Sequence, residues 1–289
     1  MKYGIFYAYW VTDWSANYCD YVKKVKNLGY DVLEIGAGDL LTMSDAELAK
    51  LRDVSREYEL AISCNLGPPK SKDVGSSDPD VRAAGVKYLC DIMSKMKIVG
   101  TDTLIGALYT FWPYDFHDLD KKAMWARSVD SMKKVGACAD DLGIKVCLEV
   151  LNRFESNLLN TAAEGIQYCK DVDHKSVGLL LDTFHMNIEE DSIGDAIRSA
   201  GSLLRHVHVG EANRKLPGLG HNMPWDEIGQ ALRDIGYKDM VVMEPFMQAG
   251  GTVGSDIKVW RDLTGGADAA KMDEMAAAAV KFLRSKLEG

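Results

Sequence analysis

Four short, mainly apolar runs in the second half of the sequence each lead directly into an ionisable side chain. The runs are residues 144–148, 177–181, 203–207 and 240–243, and the side chains that follow them are Glu149, Asp182, His208 and Glu244. Apolar runs of this length are typical of buried strands. A charge at the end of a buried strand costs several kcal/mol unless a cation or a set of hydrogen bonds compensates it. Taken singly, each would more commonly be satisfied by a loop amide or an arginine.

The recurrence of these residues at one structural position favours a shared ion instead. Three carboxylates would repel one another without a cation between them. Together with an imidazole and open positions for substrate, they suit a divalent ion of the Mn²⁺, Co²⁺ or Mg²⁺ kind. The sequence therefore predicts a metal site built from Glu149, Asp182, His208 and Glu244.

A second set of side chains that could bind a ligand follows the same strand ends. Glu155, His185 and Arg214 each lie a few residues beyond a candidate metal ligand. They offer donors and acceptors to a hydroxyl-rich molecule, and the arginine fork has a fixed geometry. Aromatic rings that can cover a sugar and exclude water also lie at or just past strand ends, namely Phe6, Trp14, Trp112 and Phe246.

Three neighbouring residues are expected to have structural roles. We expect Asn152 and Arg153 to support the Glu149 and Glu155 carboxylates. His206 shares a strand face with the candidate ligand two residues further on, but it lies one layer deeper, which is typical of a core histidine.

The strands and helices that must position these residues alternate along the whole chain. Strands are predicted over residues 3–8, 31–36, 60–64, 103–106 and the four runs above, and helices near 18–28, 79–96, 121–142, 193–200, 225–235 and 272–287, with two more opened by capping boxes at Ser44 and Thr161. Eight strands and eight helices in strict alternation predict a (β/α)₈ barrel. The glycine-rich segment 250–254 is predicted to be a loop.

Barrel closure would bring the four candidate ligands together, because the carboxyl ends of all strands share one rim. An open doubly wound sheet is the alternative architecture. It is disfavoured because no Gly-x-Gly-x-x-Gly motif follows the first strand.

Composition places the chain among ordinary globular proteins. Its 289 residues are 47% hydrophobic and 27% charged, and we expect one barrel domain over residues 1–289.

The net charge of −9 disfavours nucleic acid as a partner. The six cysteines include no CxxC pair, and no signal-like segment or apolar stretch of about 18 residues occurs, which predicts a cytoplasmic protein with free thiols and no membrane span.

Five segments resemble the ketose 3-epimerases, the family of D-tagatose 3-epimerase and D-psicose (D-allulose) 3-epimerase. They are 149–155 (EVLNRFE), 181–190 (LDTFHMNIEE), 210–214 (GEANR), 243–246 (MEPF) and 254–261 (GSDIKVWR), and the likeness extends over the whole chain. The resemblance implies a metal-dependent, xylose-isomerase-like (β/α)₈ barrel. It also implies inversion at C3 of free ketohexoses, which interconverts D-fructose with D-psicose and D-tagatose with D-sorbose.

The family pattern further implies a role for each site residue. Glu149, Asp182, His208 and Glu244 would hold Mn²⁺ or Co²⁺, while Glu155, His185 and Arg214 would grip the C1 to C3 end of the sugar. Family members also form homodimers or homotetramers. Phe6, Ile105 and the segment 64–66 depart from the usual residues, and we expect them to border the part of the pocket that receives C4 to C6.

Inversion at C3 of a 2-ketose requires removal of a proton α to the carbonyl and its return to the opposite face. A divalent ion would stabilise the cis-enediolate, and Glu149 and Glu244 would alternate as base and acid. Two alternatives stay open from sequence. An aldose-ketose or hydroxypyruvate-type isomerase would move the proton between C1 and C2, and a non-catalytic sugar- or metal-binding protein would leave the sugar unchanged.

Overall fold

The computed structural model describes residues 1–220 and 222–289, and within these ranges eight parallel strands form one closed barrel in sequence order. The strands are β1 (Lys2–Phe6), β2 (Val32–Gly36), β3 (Ala61–Asn65), β4 (Thr103–Gly106), β5 (Lys145–Val150), β6 (Val177–Asp182), β7 (Leu204–Val209) and β8 (Met240–Met243). β8 pairs with β1, which closes the sheet. The predicted (β/α)₈ barrel is confirmed.

Helices pack around the outside of the barrel. They are α1 (Tyr18–Asn27), α2 (Asp45–Glu57), α3 (Pro79–Val99), α4 (Lys121–Leu142), α5 (Ala162–Val172), α6 (Thr183–Glu189), α7 (Ile193–Ala200), α8 (Trp225–Asp234), α9 (Gly251–Ile257) and α10 (Ala269–Leu287). The capping box predicted at Ser44 is present, and the Thr161 hydroxyl caps α5. No helix in the described ranges is long and apolar enough to cross a membrane.

Two short helices at the carboxyl end of the barrel, α6 and α9, were not predicted, so the strict alternation of eight and eight is wrong. α6 begins directly after β6 because the Asp182 carboxylate caps it, accepting from the Phe184 amide at 2.9 Å. α9 occupies the segment predicted to be a loop. Its first turn is held from outside, since the Thr252 amide donates to Asp13 Oδ1 at 3.0 Å. This long-range contact outweighs the low helix propensity of glycine.

Strand β1 is shorter than predicted. It ends at Phe6, and Tyr7–Trp10 forms a 3₁₀ turn that carries the chain out of the barrel. The turn brings Trp14 back over the barrel mouth, where its ring lies 6.3 Å from that of Phe6.

The barrel interior is layered, because alternate residues of each strand point inward. Ile105, Cys147 and Leu180 form a separate, fully buried apolar cluster. Cys147 and Leu180 precede Glu149 and Asp182 by one inward position each, so the cluster lies beneath the candidate site. The expectation that Ile105 borders the substrate pocket is therefore wrong.

Candidate active site

The four predicted metal ligands meet at the carboxyl end of the barrel. Glu149 and His208 lie one residue before the ends of β5 and β7, Asp182 is the last residue of β6, and Glu244 directly follows β8. Their ligand atoms all lie within 4.8 Å of one another. Opposite ligands of one ion lie about 4.2 Å apart at bond lengths near 2.1 Å, so small adjustments suffice for a shared cation. The convergence predicted from sequence is present in the structure.

The donor set itself fits a divalent cation. Nδ1 of His208 points toward the carboxylates, 3.7 Å from Glu149 Oε1 and 3.6 Å from Glu244 Oε2. This nitrogen has no hydrogen-bond partner among the described residues. A buried imidazole nitrogen without a partner, surrounded by three carboxylates, is an arrangement that a divalent cation satisfies.

The two glutamates differ from the other two ligands in how they face the pocket. Glu149 and Glu244 line the cavity and are 6% and 7% exposed. Asp182 and His208 lie behind them, at 1% and 0%. A ligand in the cavity therefore contacts the two glutamates and not the other pair.

The same two glutamates have pKa values that are shifted apart in the metal-free protein. Burial raises the pKa of Glu149, but the neighbouring His185 and His208 outweigh burial and hold it below its usual value. Burial also raises the pKa of Glu244. His208 and Arg214 lower this pKa by less than burial raises it, so the pKa of Glu244 lies above its usual value. Two carboxyl groups whose environments separate their pKa values suit opposite roles in proton transfer.

Arg214 reaches the centre of the carboxylate cluster. Its Nη1 donates to Asp182 Oδ2 at 2.9 Å and to Glu244 Oε2 at 3.0 Å. The guanidinium lies 3.8 Å from the centroid of the Phe184 ring and 5.3 Å from that of Phe246, which fixes its plane. The predicted ligand-binding arginine therefore lies in the pocket with its position set on both sides.

His185 is held by Asn152 from the neighbouring strand end. The Asn152 backbone amide donates to His185 Nδ1 at 3.1 Å, so the proton of the neutral ring is on Nε2. That nitrogen lies 3.5 Å from Glu149 Oε1 and faces the pocket. The Asn152 side chain also donates to Glu155 Oε1 at 3.0 Å. Asn152 therefore supports the Glu155 carboxylate, as expected from the sequence.

Arg153 does not join this network, and the expectation for it is wrong. Its guanidinium pairs with Glu189 at 2.8 Å at the protein surface, where the side chain is 64% exposed. The backbone after β5 turns outward at this residue, so the arginine supports α6 rather than the carboxylates of the site.

The cavity above the cluster is small and has aromatic walls. Its volume is about 280 Å³, near the lower limit for small-molecule sites, which indicates a ligand of monosaccharide size. All four predicted aromatic residues, Phe6, Trp14, Trp112 and Phe246, line it. Trp112 Nε1 donates to Glu155 Oε2 at 3.1 Å, which connects the aromatic wall to the predicted sugar-binding carboxylate.

Sequence reasoning missed one residue of the site, Glu34, and the contact that a second residue, Asn65, makes with Glu244. Glu34 is a fully buried carboxylate in the middle of β2, and its Oε1 lies 2.9 Å from His208 Nε2. Asn65, at the end of β3, lines the cavity and donates from Nδ2 to Glu244 Oε1 at 3.0 Å. The signal for Glu34 was a charged residue inside an apolar strand. Of the segment 64–66, Asn65 and Leu66 border the cavity, and Cys64 does not.

We expect Asn65→Ala to lower kcat about 10- to 100-fold with little change in KM. The substitution removes a hydrogen bond to a charged group, which contributes about 1.5–3 kcal/mol. Steady-state kinetics with a ketose, the substrate class that the resemblance implies, measures this effect. Cys64→Ala is the matched control, because Cys64 is buried on the same strand outside the cavity. An unchanged kcat in Asn65→Ala would contradict a role in holding Glu244.

Comparison with known proteins identifies the family. A family model described as a xylose isomerase-like TIM barrel matches residues 22–282. The D-psicose 3-epimerase of Agrobacterium fabrum is 51% identical over 290 residues, covering 100% of both chains. That of Ruminiclostridium cellulolyticum is 49% identical over 289 residues, covering 100% of this chain and 98% of the relative.

The chain belongs to the ketose 3-epimerase family. It is therefore an isomerase, as the resemblance implied. Among solved ketose 3-epimerases, a D-psicose 3-epimerase crystallised in the presence of D-fructose has a TM-score of 0.98 at 51% identity, covering 100% of both chains. The enzyme from Clostridium cellulolyticum H10 with D-tagatose also has a TM-score of 0.98, at 49% identity and 99% coverage of both chains.

Proposed function

We propose that this ketose 3-epimerase interconverts D-fructose with D-psicose, and D-tagatose with D-sorbose, by metal-dependent inversion at C3. The observation that carries the proposal is the position of Glu149 and Glu244. Both belong to the four-residue ligand cluster and both face a cavity of monosaccharide size. The names of the relatives and their crystallisation with D-fructose and D-tagatose support the same sugars.

Glu149, Asp182, His208 and Glu244 would hold the ion, which we propose to be Mn²⁺ or Co²⁺, with Mg²⁺ as a weaker substitute. When bound, it supplies Lewis-acid stabilisation of the negative charge that develops on the C2 and C3 oxygens as the cis-enediolate forms.

Glu149 and Glu244 move the proton. They lie on β5 and at the end of β8, on opposite sides of His208, and each has an oxygen 3.6 to 3.7 Å from its Nδ1. One carboxylate removes the C3 proton, and the carboxyl group on the other side returns a proton to the opposite face. The separated pKa values of the two groups agree with this division of roles.

The C1 to C3 end of the sugar is held by polar groups of the same rim. Arg214 and the Nε2–H of His185 donate toward the O1 and O2 oxygens, and Glu155 accepts from a hydroxyl. Glu155 is itself fixed by Trp112 and Asn152, so its orientation precedes substrate binding. These contacts align the C3–H bond with the two proton carriers.

The aromatic walls would receive C4 to C6. Phe6, Trp14 and Phe246 pack edge to face or tilted, with ring centroids 6.1 to 6.3 Å apart. Rings packed in this way cover the apolar face of a sugar without demanding a particular hydroxyl pattern, which fits a site that accepts both fructose and tagatose.

The test of this function is sugar analysis after incubation of the protein with D-fructose, D-tagatose and D-psicose. Mn²⁺-loaded protein is expected to give the C3 epimer of each sugar, and the same protein treated with a chelator is expected to give none. Formation of an aldose from fructose would indicate the isomerase alternative. Unchanged sugars with Mn²⁺ present would indicate a binding protein.

Metal binding is expected to release about one proton per ion near neutral pH. Burial lowers the pKa of His208, but Glu34 and Glu244 outweigh burial and raise it well above its ordinary value. The raised pKa favours a protonated ring when no ion is bound, and the ion must displace that proton. Affinity should therefore fall as the pH is lowered from neutrality. Calorimetry in buffers of different ionisation enthalpy measures the release, and an affinity independent of pH would contradict it.

We also propose that the chain is a single-domain cytoplasmic enzyme that forms homodimers or homotetramers. Besides the family resemblance, large apolar side chains exposed on the loops support assembly, with Phe154 71% and Trp260 73% exposed. Light scattering at micromolar concentration tests this, and a monomer would exclude both assemblies.

A further inference from the structure

Glu34 is a buried carboxylate that the proton-transfer scheme does not use. It lies in the middle of β2 with no exposed surface. A carboxylate in such a place costs several kcal/mol unless it is paired and hydrogen-bonded. Its partners come from two other strands. Oε1 lies 2.9 Å from His208 Nε2, Oε2 lies 3.2 Å from His206 Nε2, and the Ser63 hydroxyl donates to Oε2 at 2.8 Å.

His208 therefore stands between two sets of carboxylates. Its Nδ1 faces the ligand cluster, and its Nε2 faces Glu34. A histidine that binds a metal through one nitrogen usually donates the other N–H to a carboxylate, which sets both the tautomer and the ring orientation. The His208 N–H is close to the Glu34 oxygen but not aligned with it.

We propose that Glu34 is the positioning residue of the metal centre, accepting the Nε2–H of His208 and so presenting Nδ1 to the ion. This inference rests on the metal-dependent function proposed above. His206 and Ser63 act on the second oxygen of Glu34 and stop the carboxylate from turning. Asn65, whose Nδ2 lies 3.4 Å from Glu34 Oε1, connects the same carboxylate to Glu244.

Another use of these groups would be a second metal site. Glu34, His206 and His208 also offer three ligand atoms within 4.8 Å of one another. His208 would then bridge two ions, one on each ring nitrogen. The two possibilities differ in stoichiometry, since a positioning role requires one ion per chain and a second site requires two.

The experiment is titration of the metal-free full-length protein with Co²⁺, followed by visible absorption, which reports both the number of ions and the geometry of the ligands. The variants are Glu34→Gln and the matched control Cys147→Ser, which changes another fully buried residue of the barrel interior outside the ligand cluster. If the Glu34→Gln variant does not fold, Glu34→Asp is used in its place. The aspartate keeps the buried negative charge, but its shorter side chain moves the carboxylate away from the His208 ring.

We expect the unaltered protein to bind one Co²⁺ and Glu34→Gln to bind it about 10- to 100-fold more weakly with an altered spectrum. Cys147→Ser should keep the affinity and spectrum of the parent whatever its stability. Unchanged affinity and spectrum in Glu34→Gln would overturn the inference, and so would two ions per chain. Failure of the unaltered protein to bind Co²⁺ would overturn the proposed metal centre and this inference together.

Discussion

Replacing Glu149 or Glu244 with glutamine is expected to slow epimerisation of D-fructose by at least about 1000-fold. Each substitution removes one of the two groups that exchange a proton with C3, and it also weakens the metal site. Glutamine keeps the size of the side chain, so the barrel should persist. Initial rates of D-psicose formation, measured at saturating Mn²⁺ so that the metal site is filled, give the effect on proton transfer.

The two variants should differ in what they still do in D₂O. The glutamate left in each can remove the C3 proton of one epimer and return a deuteron to the same face. Glu149→Gln and Glu244→Gln are therefore expected to exchange C3 hydrogen in opposite epimers without inverting them. Asp182→Asn is the control, because Asp182 belongs to the candidate ligand cluster but lies behind the cavity. Full epimerisation by either glutamine variant would contradict the assignment.

Removal of the metal is the second large effect expected. A chelator should abolish epimerisation and lower Tm by about 5 °C or more, because an ion present at 100 times its Kd stabilises the fold by about 2.7 kcal/mol. The stabilisation arises because three carboxylates in the barrel mouth repel one another when only Arg214, His185 and His208 balance them. Thermal unfolding with Mn²⁺ and with chelator measures the shift.

Asp182→Asn is the control for this effect too. With one ligand weakened, its Tm should respond much less to the chelator. A Tm of the unaltered protein that is the same with and without Mn²⁺, in a preparation that still epimerises fructose, would show that these residues hold no ion that matters to the fold.

The barrel and the convergence of the four candidate metal ligands were predictable from sequence because their signal is local. Each ligand sits where an apolar run ends, and parallel strands in a barrel end on one rim, so position along the chain predicts position in space. Glu149 and Asp182 illustrate this, since each needed only its own strand to be recognised. The length of the apolar runs and the alternation with helices predicted the strand number.

Glu34 and the contact made by Asn65 were missed because their partners lie on distant strands. Glu34 of β2 meets His208 of β7, and Asn65 of β3 meets Glu244 beyond β8. Nothing near either residue in sequence shows which side chain lies opposite across the barrel. Arg153 was misassigned for a related reason, because a residue just past a strand can turn toward the pocket or toward solvent.

Helix α9 shows the same limit at the level of secondary structure. Its glycines predict a loop, but bonds from Thr252 and Val253 to the loop after β1 hold the segment as a helix. Ile105 was misplaced because the inward layer of a strand residue depends on barrel register, which the strand's own sequence does not specify.

The most direct test of the central claim is the position of deuterium in sugar recovered after the Mn²⁺-loaded protein has acted on D-fructose in D₂O. Proton transfer by Glu149 and Glu244 predicts D-psicose carrying one deuterium at C3 and none at C1. Deuterium at C1, or D-psicose that has gained none anywhere, would show that the two glutamates do not exchange a proton with C3.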